Sequence, residues 1–121
     1  MEVDWIKKLA DIYGVESAMI VDRDGLVVAK AGLASDRLAP HSALLVTRLI
    51  DQIGLKNIDE WQWAQCETAE LTISFTNVYV GILIIVMKKD VNLSMVRLEA
   101  GKIRRAMKEK FKGPFIALGR S

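Results

Sequence analysis

Residues 14–32 read GVESAMIVDRDGLVVAKAG, and the meaning of Asp22-Arg23-Asp24-Gly25 within them decides the fold. A calcium loop needs oxygen ligands at alternate positions, glycine at the sixth and glutamate at the twelfth. Counted from Asp22, glycine comes fourth, the fifth position is Leu26 and the twelfth is Leu33, so the pattern fails three times. A phosphate cradle fares no better. Two carboxylates would repel the anion, and the chain has no Gly-Lys-Ser/Thr run. Asp-Gly between two apolar runs is instead a hairpin signal, because glycine tolerates the positive φ of a tight turn. Val15 to Asp22 and Leu26 to Ala31 are therefore two strands joined by a bend.

Working outward, Trp5, Ile6, Leu9, Ile12 and Tyr13 recur at helical spacing and Gly14 stops them, which makes a first helix. Ser35 or Asp36 can cap a second helix running to Gly54, starting near Leu38 so that Pro40 falls in its first turn. Ile58 to Glu67 alternates weakly and sets Trp61 and Trp63 on one side. Ala69 to Phe75 alternates cleanly, with Leu71, Ile73 and Phe75 inward and Thr72 and Ser74 outward. Thr76-Asn77 turns the chain into VYVGILIIVM (78–87), apolar on both faces and so placed mid-sheet. Asp90 to Asn92 leads to a long last helix with Val96, Ala100, Ile103, Met107 and Phe111 in one stripe. The order α-β-β-α-β-β-β-α predicts an α+β (α/β sandwich) fold around a five-stranded antiparallel sheet. The second helix covers one face, the first and third helices the other. One domain spans residues 1–112, and 113–121 form a C-terminal tail.

At 121 residues, just over half apolar and a quarter charged, the chain is globular. Its longest apolar run, Val78 to Met87, is half of the roughly 20 residues a membrane helix needs. No amino-terminal signal peptide is legible. Cys66 is the single cysteine, which excludes an internal disulfide and a cysteine-based zinc site and points to the cytoplasm. Residues 1–87 carry seven Lys/Arg against twelve Asp/Glu, while residues 88–121 carry ten against three, so basic character is confined to the last quarter.

Catalysis needs a nucleophile, a base and a group that orients the base. The lone histidine, His41, has no serine or cysteine at a suggestive spacing, and no cofactor or metal motif appears. The second helix says more. With Arg37 at 0° and 100° per residue, Leu38, Ala39, Ala43, Leu45, Val46, Leu49, Ile50 and Ile53 fall between about 80° and 240°. That arc is wider than one sheet-facing stripe requires. Its small-residue flank, Ala39 and Ala43 beside Val46 and Ile50, fits either burial within one chain or close packing on a second copy. Opposite lie Arg37, His41, Arg48, Asp51 and Gln52 around Leu44, an apolar centre with a polar rim of the kind found in interfaces. Trp61 and Trp63, on an otherwise exposed edge strand, suit an interface or core packing equally. The last helix carries Arg97, Lys102, Arg104, Arg105, Lys108, Lys110 and Lys112, either a solvated face or a contact for an acidic partner, an anionic membrane or nucleic acid. Aromatics interleaved with those cations would favour nucleic acid, and there are none.

Two stretches, GVESAMIVDRDGLVVA (14–29) and VNLSMVRLEAGKIRRAM (91–107), resemble the roadblock/dynein light-chain family, nearer its bacterial MglB-like branch. The order of elements matches over roughly residues 3–112. One departure is Ser94 after Asn92-Leu93, where the family normally has glycine. The resemblance implies a homodimer in which second helices pair and third strands join two sheets into one. It implies a non-enzymatic platform for a small Ras-like GTPase of the MglA kind, in some members stimulating GTP hydrolysis. The alternative is a scaffold in a polarity, motility or sensory complex with no effect on turnover. Carried onto this chain, the dimer surface is Ala39, Ala43, Val46, Ile50, Trp61 and Trp63, and the ridge facing the GTPase is Arg37, His41, Leu44 and Arg48.

Overall fold

The computed structural model describes residues 2–22, 26–32, 48, 62–79 and 81–117, with the backbone alone for residues 2, 3 and 110–117. The elements are α1 (Glu2–Ala10), β1 (Val15–Asp22), β2 (Val27–Gly32), β3 (Trp63–Glu67), β4 (Leu71–Asn77), β5 (Gly81–Lys88) and α2 (Leu93–Ala117). The five strands form one sheet in the order β2-β1-β5-β4-β3, every neighbouring pair antiparallel. The doubly apolar strand expected mid-sheet is β5, which lies at its centre. The expected second helix falls outside the described residues except for Arg48, which is helical and exposed.

The decisive hairpin is β1–β2. The Asp22 amide donates to the Leu26 carbonyl at 2.9 Å, and the Leu26 amide donates to Asp22 Oδ1 at 3.0 Å. A carboxylate that accepts from its own turn is a structural group. Ile20 pairs with Ala29 and Val21 with Val27, so Val28 is an extra residue, a bulge on the edge strand.

Alternation along β1 and β5 separates two buried layers. Ala18, Ile20, Leu83, Ile85 and Met87 face Ile6 and Leu9 of α1 and Val96, Ala100, Ile103 and Met107 of α2. Met19, Val21, Ile82, Ile84 and Phe75 form a second buried cluster on the opposite face. Both described helices therefore lie on one face of a sheet whose two faces are buried.

Three local expectations are corrected. α1 ends at Ala10, so Ile12 and Tyr13 follow it in a turn and Tyr13 is 80% exposed rather than part of the apolar stripe. The stop is Gly14, at φ 93, where a Cβ would lie 2.8 Å from Val91 Cα. Thr72 and Ser74 do not face solvent. With Thr76 they are buried, because β4 is an interior strand and α2 packs on that side. The β4–β5 turn lies after Val78, whose amide donates to the Gly81 carbonyl at 3.1 Å, two residues beyond Thr76-Asn77. Gly81 is required there, since a Cβ would overlap the Val21 carbonyl oxygen across β1.

Candidate functional site

α2 begins at an asparagine cap. Asn92 Oδ1 accepts from the Met95 amide at 3.2 Å, and the Asn92 carbonyl accepts from Val96 at 3.1 Å. This fixes the helix's rotation, burying the stripe Val96, Ala100, Ile103 and Met107. Arg97, Arg104 and Lys108 then lie within about 40° of one another on the flank turned toward β4 and β3.

That flank rests on aromatic rings. The Arg97 guanidinium carbon is 4.8 Å from the centroid of Trp63, a half-buried residue of β3. Arg104 lies 4.8 Å and the Lys108 ammonium 5.6 Å from the centroid of Tyr79. Arg104 Nε also donates to the Asn77 carbonyl at 3.0 Å, tying the helix to the end of β4. Tyr79 itself is buried and holds φ 70, unusual for a bulky residue, with its amide donating to Asn77 Oδ1 at 3.0 Å. The sequence shows no aromatics among the cations between Arg97 and Lys108; the fold brings them from β3 and the β4–β5 turn. The only legible signal was spacing, since positions 97, 104 and 108 recur on one side of a helix.

The remaining cations differ in role. Lys102 bridges Glu99 at 3.1 Å, and Arg105 is exposed. Lys89 bridges Glu67 of β3 at 2.9 Å, and that hydrogen-bonded ammonium holds the Glu67 carboxyl below its ordinary value.

β3 is a sheet edge on which Gln65, Cys66 and Glu67 are all exposed. The Trp63 ring belongs to the helix-covered face, where it packs against the main core, and Nε1 donates to Gln65 Oε1 at 3.4 Å. Among the other residues singled out from the sequence, Arg37, Ala39, His41, Ala43, Leu44, Val46, Ile50 and Trp61 lie outside the described residues. No group of three His, Cys, Asp or Glu side chains suited to a metal occurs among the described residues, and none of the described helices is long and apolar enough to cross a membrane.

An antiparallel five-stranded sheet with both described helices on one face is an α+β sandwich. The Roadblock/LC7 domain profile matches residues 2–88, and the chain belongs to that family. Solved structures agree. A Roadblock/LC7 domain from Streptomyces avermitilis superposes with a TM-score of 0.77 at 14% identity, covering 91% of this chain and 97% of that one. MglB of Myxococcus xanthus gives 0.76 at 22% identity over 91% and 86%, and an MglB with tetrameric arrangement gives 0.71 at 18% over 88% and 85%. No curated protein matches the sequence.

Proposed function

We propose that this chain is a non-enzymatic homodimeric adaptor that binds a small Ras-like GTPase of the MglA kind and regulates its nucleotide turnover. The observation behind this reading is membership of the Roadblock/LC7 family, in a fold shared with MglB structures, one of them a tetrameric arrangement. Among the described residues β3 has no strand on its outer side, which supports self-association, because an unpaired edge strand invites pairing. In this reading β3 pairs with its copy, while Ala39, Ala43, Val46 and Ile50 pack helix on helix and Trp61 and Trp63 flank the seam. Arg37, His41, Leu44 and Arg48 make the docking ridge, and Arg48 is exposed on helical backbone, as that role requires. Such an adaptor acts by favouring one state of the GTPase's switch segments, since a ligand shifts only what it binds differentially. The exposed thiol of Cys66 fits the reducing cytoplasm.

The test is calorimetric titration with a small Ras-like GTPase of the MglA kind, joined to a hydrolysis assay. Binding that Leu44→Asp abolishes, with the dimer intact, is expected. Unchanged affinity in Leu44→Asp defeats the ridge assignment. Accelerated hydrolysis marks a regulator, and tight binding without acceleration marks a scaffold.

A further inference from the structure

Beyond Trp63, the two described helices leave one strand uncovered. α1 packs over β1 and β2, and α2 reaches across β5 to β4. On that face Gln65 and Glu67 of β3 share a side with Trp63 by alternation, and both are exposed. The flank of α2 overlooking this bare strand is the cationic one. Arg97 sits above Trp63, with Arg104 and Lys108 one and two further steps along the same side. Gly101 falls in the same arc, and a Cβ there would meet nothing nearer than Arg105 Nη1 at 3.6 Å, so the wall is open at that point.

We infer that the dimer binds an acidic, amphipathic peptide segment in a trench over its paired β3 strands, an inference that rests on the dimer proposed above. When β3 lies against its copy, the two α2 flanks face each other across the pair. Strands spaced by about 4.8 Å place β5 and the second copy's β5 about 24 Å apart. Subtracting one helix diameter of about 10–12 Å leaves a trench about 12–14 Å wide. The floor is Trp63 and Gln65, and the walls are Arg97, Arg104 and Lys108, each present twice. Glu67, the acidic group at the floor's end, is matched by Lys89.

The width and charge choose the occupant. One helix or one extended chain fits about 12–14 Å, whereas a nucleic-acid duplex is too wide and a bilayer too flat to reach the floor. Arg97, stacked on its ring, keeps its in-plane N–H donors for carboxylates, and Arg104 keeps those of its two terminal nitrogens while Nε holds Asn77, so acidic side chains meet the walls and an apolar one lies against the exposed edge of the half-buried indoles.

The test is a fluorescence-anisotropy titration of the full chain with a labelled glutamate/leucine amphipathic peptide. A lysine/leucine peptide of the same pattern is the control, and light scattering runs in parallel. Saturable binding of the acidic peptide alone is expected, weakening with salt and falling about tenfold in Arg97→Ser and in Lys108→Glu with the dimer unchanged. Trp63→Phe should remove the accompanying change in tryptophan emission. A dimer that ignores the acidic peptide, binds both peptides equally, prefers a single-stranded oligonucleotide or is indifferent to both charge variants overturns the trench alone. A monomeric particle overturns the dimer first and the trench with it.

Discussion

Arg97 and Trp63 are joined face to charge, guanidinium carbon to ring centroid at 4.8 Å, and this pair links the edge strand β3 to α2. It adds to the ladder that β3 makes with β4 and to the Lys89–Glu67 bridge. The pair is partly wet, so its strength belongs to the exposed end of cation–π energies. Trp63→Ala should cost about 2 kcal/mol, less than the roughly 3–5 kcal/mol of a fully buried ring. Arg97→Ala should cost about 0.5–1 kcal/mol. A double-mutant cycle by urea unfolding should return a coupling of about 0.5–1 kcal/mol. Strictly additive losses would mean that the two side chains are merely adjacent.

Tyr79 presents two opposed effects at one residue. Its backbone, at φ 70, is strained for any side chain bearing a Cβ, while its ring fills space beneath Arg104 and Lys108. Removing the ring should destabilise in every variant, because a buried aromatic is worth more than the strain. The order of the variants is the informative part. Tyr79→Gly should be more stable than Tyr79→Ala by about 1 kcal/mol, reversing the usual preference, since only glycine escapes the left-handed penalty. Thermal unfolding of the two variants decides it, and equal midpoints would argue that the turn relaxes to another conformation.

What was legible in the sequence follows from how local each signal is. Asp22-Arg23-Asp24-Gly25 announced its hairpin, and β5 its central place, because turn chemistry and two-sided apolarity are written in consecutive residues. Thr72 and Ser74 misled because alternation assigns polar residues to solvent, whereas the burial of β4 is decided by a helix twenty residues later. Tyr13 misled similarly. Its spacing continued a stripe, but Gly14 ended the helix before the stripe could use it. The stacks of Arg97, Arg104 and Lys108 join residues 25 to 34 positions apart and have no local signature at all.

The Glu67–Lys89 bridge gives a pH dependence with a definite sign. Lys89 lowers the Glu67 pKa in the folded chain, so the unfolded chain holds its proton to higher pH. The stabilisation is present above the unfolded pKa, near 4.3, and is lost as pH falls through the lower folded value. Both side chains are largely in water, so the effect on unfolding should be small and screened by salt. The sharper readout is an NMR titration of the Glu67 side chain. Its midpoint should lie below that of an ordinary glutamate and rise toward it in Lys89→Met. An unshifted midpoint in the parent protein would show that the bridge does not persist in solution.

Ser74 supports a prediction of unusual sign. Its hydroxyl is fully buried on the helix-facing side of β4, and neither Ser74 Oγ nor the nearby Thr76 Oγ1 has a hydrogen-bond partner among the described residues. A buried hydroxyl with no partner has lost its hydration without compensation, at a cost of about 1–3 kcal/mol. Replacing the oxygen with nothing, as Ser74→Ala does, or with a methyl group, as Thr76→Val does, removes that cost and opens only a small void. Most core substitutions destabilise, but these two should be neutral or stabilising by up to about 1 kcal/mol. The same pair would tighten α2 against β4 and so slow amide exchange along the Arg97 to Lys108 turns. A loss of more than about 1 kcal/mol in Ser74→Ala, measured by urea unfolding, would show that the hydroxyl is satisfied in solution and that the interface beneath α2 is polar by design.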